Sequence, residues 1–309
     1  MKENSRRAFI KKTSLGIGVL GTSSLDLFSE TISPTTNPPE PDLKTVYLWE
    51  DNSVNNGPDP KKRPKLDFFI PNTKGPEKRA AIIVCPGGAY GGLAAHEGSP
   101  FAKLFSSAGI VSAVLTYRVS PNRYPAPYSD AVRAMRILRS RAEELNIDPE
   151  KIGIIGFSAG GHLASTVACQ PDLYKDPLDD LAGKISARPN RVMLGYPVIS
   201  FDEFTHKGSV GNFLGSQSTP ALIQRFSNQK QVNAATPPAF LFHTANDPAV
   251  PVENSLLFAQ ACAKYKVPFA LHIYPNGPHG VGTAIKNPEL SGWTEVLLKW
   301  LSEWQRPLG

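Results

Sequence analysis

The residues with most chemistry to offer lie far apart in the chain. Ser158 sits in Gly156-Phe-Ser-Ala-Gly160, a G-x-S-x-G spacing. It follows an apolar run at 152–157 and precedes helix-forming residues at 162–168. In that context the serine occupies a strained strand-to-helix turn. Glycines two before and two after are needed because strand and helix approach so closely that a Cβ would clash. The hydroxyl is then expected at the carboxyl edge of a sheet. The N–H of Ala159 opens a helix, where backbone donors are free to hold an anion. The plainer reading is a βα turn with a capping serine; the flanking strand and helix favour the nucleophile.

A serine hydroxyl attacks poorly until a base takes its proton. His279 follows an apolar run at 269–274 and can act as that base. Asp247 follows the run at 239–244 and can hold the other ring nitrogen, fixing the tautomer. The rivals fit less well. His272 and His243 fall inside strands, His162 is one helical turn past the serine, and His206 lies in a polar excursion at 202–235. Asp202 is the alternative acid; Glu253 and Asp130 read as helix caps. An anionic intermediate needs N–H donors. Ala159 offers one, and the turn at Gly88 and Ala89, after another apolar run at 80–85, offers more. Tyr90 and His96, close to that turn, are expected to line the substrate pocket.

These residues need a scaffold. Short apolar runs at 45–49, 66–70, 80–85, 110–117, 152–157, 192–198, 239–244 and 269–274 alternate, from the third onward, with segments of helical spacing. That predicts an α/β fold, a mostly parallel sheet of about eight strands with helices on both faces. Ligands bind such sheets outside the carboxyl ends of the strands, where Ser158, Asp247 and His279 all fall. A helix is expected to begin at Ser129 and Asp130 and to end at Asn146, and a short one at 220–226. The excursion at 202–235 is a candidate lid.

The 309 residues are 41% hydrophobic, enough for one large core. Net charge is +6, but residues 1–24 alone hold five basic side chains and one acidic, so the rest is nearly balanced. That distribution argues against a nucleic-acid partner. Cys85, Cys169 and Cys262 are sparse and odd in number; each is expected to be a buried free thiol. Arg6-Arg7 with Phe9, ahead of a modest apolar run, resembles a twin-arginine export signal over residues 1–28. The run is too short for a stable membrane anchor. A Pro/Ser/Thr-rich linker is expected at 29–44 and the folded domain at 45–309.

Several stretches together resemble a known family: Pro86-Gly-Gly-Ala-Tyr-Gly-Gly-Leu93, His96-Glu-Gly98, Tyr117-Arg118, Ser129-Asp-Ala-Val-Arg-Ala134, Gly156-Phe-Ser-Ala-Gly-Gly-His-Leu-Ala164, His243-Thr-Ala-Asn-Asp-Pro-Ala-Val-Pro-Val-Glu-Asn254 and Pro278-His-Gly280. They look like bacterial esterases of the α/β-hydrolase superfamily, nearest the acetylxylan/feruloyl-esterase-like branch. Two departures stand out: Ala89 where many relatives carry glycine, and Gly-Pro-His-Gly-Val where Gly-His-Gly-Phe is common. The resemblance implies Ser158, Asp247 and His279 as a triad that hydrolyses acyl esters, acetyl above all, on plant-polysaccharide fragments such as acetylated xylan, a small-molecule or oligosaccharide ester substrate, with no metal or organic cofactor. The twin-arginine-like segment, for its part, implies an exported, periplasmic or extracellular enzyme served by the twin-arginine machinery. An amide hydrolase with the same triad is the alternative activity, and a non-catalytic polysaccharide-binding protein the alternative class.

Overall fold

Runs of branched residues with no polar interruption make strands that are covered on both faces. The strand Arg79–Cys85 is the clearest case: six of its seven residues are buried. In the computed structural model the described residues are 42–305, apart from 52, 58, 60, 61, 73–76 and 179. The expected export signal and nearly all of the expected linker lie outside them.

Eight strands form one sheet: β1 (Asp42–Tyr47), β2 (Lys65–Ile70), β3 (Arg79–Cys85), β4 (Val111–Thr116), β5 (Ile147–Phe157), β6 (Arg191–Gly195), β7 (Ala239–Thr244) and β8 (Phe269–Tyr274). Their order is β1-β2-β4-β3-β5-β6-β7-β8. The β1–β2 and β2–β4 pairings are antiparallel and the other five are parallel. β1 starts within the stretch read as linker, because Asp42 already pairs with Ile70.

Helices cover both faces. Side chains alternate across a strand, so Ala81, Ile83, Ile152, Ile154 and Leu194 enter one core with residues of α2 (Ala126–Ser140), α3 (Ala159–Cys169) and α6 (Glu253–Lys264). Ile82, Val84, Ile155, Phe157 and Met193 enter the other, with α1 (Ser99–Ser107) and α7 (Gly292–Gln305). Each such aromatic or branched side chain stabilises the fold by about 1.5–3 kcal/mol on full burial. The polar excursion carries α4 (Lys207–Phe213) and α5 (Pro220–Arg225). All three cysteines are buried and free.

Two helix expectations are corrected. α2 begins three residues before Ser129, with Pro127 in its first turn, and ends at Ser140. Asp130 therefore caps nothing. It is buried inside the helix and accepts hydrogen bonds from the Trp49 indole and from Arg118. The chain then turns back into β5 through Asn146 at φ 51°.

Candidate active site

The turn from β5 into α3 is built on contact too close for side chains. A Cβ on Gly156 would stand 2.0 Å from the carbonyl oxygen of Gly160, and one on Gly160 would stand 2.1 Å from that of Cys85. Ser158, between them, is held at φ 52°, ψ −120°. Such a conformation costs about 1–3 kcal/mol and persists only where its surroundings fix it. They do: the Ser158 N–H donates to Gly195 O, and its carbonyl accepts from the N–H groups of His162 and Val198.

Ser158 Oγ lies 2.8 Å from His279 Nε2, and His279 Nδ1 lies 2.7 Å from Asp247 Oδ2. A carboxylate can only accept, so Nδ1 carries the proton and Nε2 is left to accept from the serine hydroxyl. β8 lies three strand spacings from β5, with β6 and β7 between them, roughly 14 Å at ordinary spacing. The loop at 275–291 therefore has to reach back along the rim. It is tied to the loop after β7: Thr244 Oγ1 donates to Gly277 O, and the Gly277 N–H donates to Asn246 Oδ1.

The Asp247 side chain is buried. Burial opposes its charge, yet hydrogen bonds with His243 and His279 and from the Val250 and Ala249 N–H groups hold it well below the usual carboxylate range. His243 Nε2 lies 3.5 Å from Asp247 Oδ2, and its ring is fixed between Ser255 Oγ and Val250 O.

After β3 the chain makes a tight turn with Gly88 at φ 125°, Ala89 at 54° and Tyr90 at 56°. The Gly91 and Gly92 N–H groups bond back to Gly88 O, Asn212 of α4 donates to Ala89 O, and the Ser120 N–H donates to Tyr90 O. The turn abuts the serine: a Cβ on Gly87 would be 2.9 Å from Ser158 Cβ. The N–H groups of Gly88, Ala89 and Ala159 have no acceptor among the described residues. Donors fixed in place beside a nucleophile are suited to an oxygen that gains negative charge during reaction.

The other expected positions sort as follows. Tyr90 does not line a pocket: it is fully buried, packed on Phe213, with its hydroxyl bonded to His162 Nδ1. His162 Nε2 donates to Phe226 O, which leaves Nδ1 to accept from that hydroxyl. His96 keeps an exposed ring, and its Nε2 bonds Gly280 O, next to His279. Asp202 is no alternative acid; it sits on the surface in an ion pair with Lys230. His272 stacks on Phe240, and His206 caps α4 through Ser209. Glu253 opens α6. Among the described residues no group of three His, Cys, Asp or Glu side chains could hold a metal ion.

Three supporting residues escaped sequence reading: Glu97, Tyr196 and Asn212. Tyr196, just past a strand, reads as ordinary core, and Asn212 as part of a polar loop. Only Glu97 left a signal, inside the His96-Glu-Gly98 stretch.

Comparisons with known proteins agree with this geometry. Residues 66–262 match the family model described as BD-FAE. The chain is 38% identical over 262 residues to endo-1,4-beta-xylanase B of Butyrivibrio fibrisolvens, covering 83% of this chain and 41% of that protein. It is 37% identical over 220 residues to an acetylxylan esterase of Xylanibacter ruminicola, covering 69% and 43%. The chain thus spans about two-fifths of the length of these curated relatives. Among solved structures, an acetyl ester-xyloside bifunctional hydrolase from Caldicellulosiruptor lactoaceticus superposes with a TM-score of 0.80 at 43% identity, covering 85% of this chain and 97% of that one. A thermophilic esterase from Thermogutta terrifontis gives 0.70 at 26% identity, covering 86% and 95%. With its eight-stranded sheet, its strained serine turn and this extent of similarity, the chain has the α/β-hydrolase fold and belongs to the BD-FAE family.

Proposed function

We propose that the protein is a serine esterase that removes acyl groups, acetyl above all, from plant-polysaccharide fragments such as acetylated xylan. One observation carries the reading: the unbroken path from Asp247 Oδ2 through the His279 ring to Ser158 Oγ. The relatives named as an acetylxylan esterase and an acetyl ester-xyloside hydrolase support the substrate class.

In this mechanism His279 Nε2 takes the Ser158 proton as Oγ attacks the ester carbonyl. The carbonyl oxygen becomes negative and is held by the N–H groups of Gly88, Ala89 and Ala159. Collapse breaks the carbon–oxygen bond to the sugar, and the proton on Nε2 passes to the leaving oxygen. A water then gives its proton to Nε2 as it attacks the acyl-serine carbonyl; collapse breaks the bond to Ser158 Oγ, which takes the proton back from Nε2, and the carboxylic acid leaves. Asp247 stays ionised and stabilises the imidazolium formed in each half.

Acetate release from acetylated xylan, measured beside p-nitrophenyl acetate, feruloyl esters and aminoacyl amides, tests the assignment. Ser158→Ala should lower kcat at least a thousandfold with the fold intact. An unchanged rate in that variant, or cleavage of the amides alone, would overturn the reading. We further propose that residues 1–28 export the protein through the twin-arginine route. Replacing Arg6 and Arg7 with lysine should trap the protein in the cytoplasm, and undiminished export would refute this.

A further inference from the structure

Glu97 has no part in the proton path, yet it is among the most enclosed carboxylates of the chain, its side chain only 3% exposed. Its two oxygens serve two different loops. Oε2 accepts the Gly87 N–H at 2.7 Å, immediately before the turn that presents the Gly88 and Ala89 donors. Oε1 accepts the Tyr196 hydroxyl at 2.8 Å. The Tyr196 oxygen in turn accepts the Gly282 N–H at 3.1 Å, in the loop that carries His279. The Tyr196 ring also packs edge-on against the His279 ring, with centroids 5.2 Å apart. The neighbouring His96 bonds Gly280 O, so two consecutive residues grip the same loop. Burial, followed by the nearby Glu97 carboxylate, pushes the Tyr196 pKa well up, so the phenol keeps its proton and remains a donor.

We infer that Glu97 is a positioning residue that locks the oxyanion turn to the histidine loop, through Gly87 on one side and Tyr196 on the other. The inference rests on the esterase reading above. A carboxyl side chain suits the place because both neighbours are donors and its two oxygens accept in two directions at once. Its effect on rate passes through the geometry of Gly88, Ala89 and His279. Those groups act on charge that develops in the transition state, so losing Glu97 should act on kcat and leave KM nearly alone.

The test uses the full chain and two substitutions at this position. Glu97→Ala removes both bonds and should lower kcat for p-nitrophenyl acetate about 100-fold, at the lower end of the effect of losing an oxyanion donor, with KM within about twofold. Glu97→Gln has the same size and keeps one acceptor for the Gly87 N–H, so it should recover roughly tenfold of that loss. Tyr196→Phe should lower kcat, and adding it to Glu97→Ala should cost little more, because the two residues act as one unit. The rate at which a fluorophosphonate labels Ser158 should fall in parallel. If Glu97→Ala does not fold, Glu97→Gln decides. Wild-type kcat in the glutamine variant, or a fall in Tm with kcat intact, would mean that Glu97 merely fills the core and would overturn the inference. Failure of the underlying reading looks different, since the unmodified protein would then neither hydrolyse esters nor take the label.

Discussion

At the scale of single residues, the triad depends on one proton being on the right nitrogen. Asp247 accepts from His279 Nδ1 and so leaves Nε2 as the acceptor for Ser158. Asparagine at 247 could instead donate to Nδ1, which would move the ring proton to Nε2, where it blocks the transfer. Asp247→Asn should therefore lower kcat by about three to four orders of magnitude, as such a change does in an unrelated serine hydrolase. Steady-state kinetics at pH 7.5 with a chromogenic ester checks this; a loss below tenfold would mean that the carboxylate does not set the tautomer. The place of Asp247 just after β7 was readable from the sequence. Its environment was not, because His243, Ser255 and Val250 enclose it only once the loop has closed.

At the scale of elements, the serine turn works because β5, α3 and the end of β3 touch backbone to backbone. Gly160 is where α3 meets the end of β3, since an added Cβ would stand 2.1 Å from Cys85 O and 2.5 Å from Pro86 O. Relief requires α3 to move away from the oxyanion turn. Gly160→Ala should cost about 3 kcal/mol of stability, the upper part of the range for overpacking, and lower activity at the same time. Urea denaturation followed by tryptophan fluorescence measures the first effect. A neutral substitution would show that the helix has slack the geometry denies. The same closeness explains why the strand and the glycines were legible as a motif while the ends of α2 were not. Its early start depends on Pro127 in the first turn, and its residue Asp130 is satisfied by Trp49 and Arg118, contacts that no local pattern encodes.

At the scale of the whole molecule, one buried imidazole makes stability depend on pH. His162 is enclosed beneath the active site between Tyr90, Phe201 and Phe226. Burial pushes its pKa down to about 3. The unfolded chain takes up this proton near pH 6.5 and the folded one does not. The stability contributed by the neutral ring is therefore complete above about pH 6.5 and is lost progressively as pH falls toward 3, on the order of 5 kcal/mol in all. Denaturation free energies at pH 7, 5.5 and 4 should show that decline, and His162→Gln should flatten it. An equal slope in both proteins would assign the acid sensitivity elsewhere.

The sequence alone determined the class of the sheet, the serine turn and the three reactive side chains, because each is written in a local pattern. Short uninterrupted apolar runs mark strands buried on both faces, a 3.6-residue period marks helices, and glycines two before and two after a serine mark a turn too tight for side chains. Only the tertiary structure decided what holds those groups in register. Glu97 and Tyr196 are 99 positions apart, and Tyr196 and Gly282 are 86 apart. A hydrogen bond between such residues depends on where the whole sheet brings their loops, and spacing along the chain carries no trace of it. Tyr90 is the same lesson in reverse: its neighbours in sequence suggested a pocket wall, and the packing of α3 and the excursion helices turned it into core.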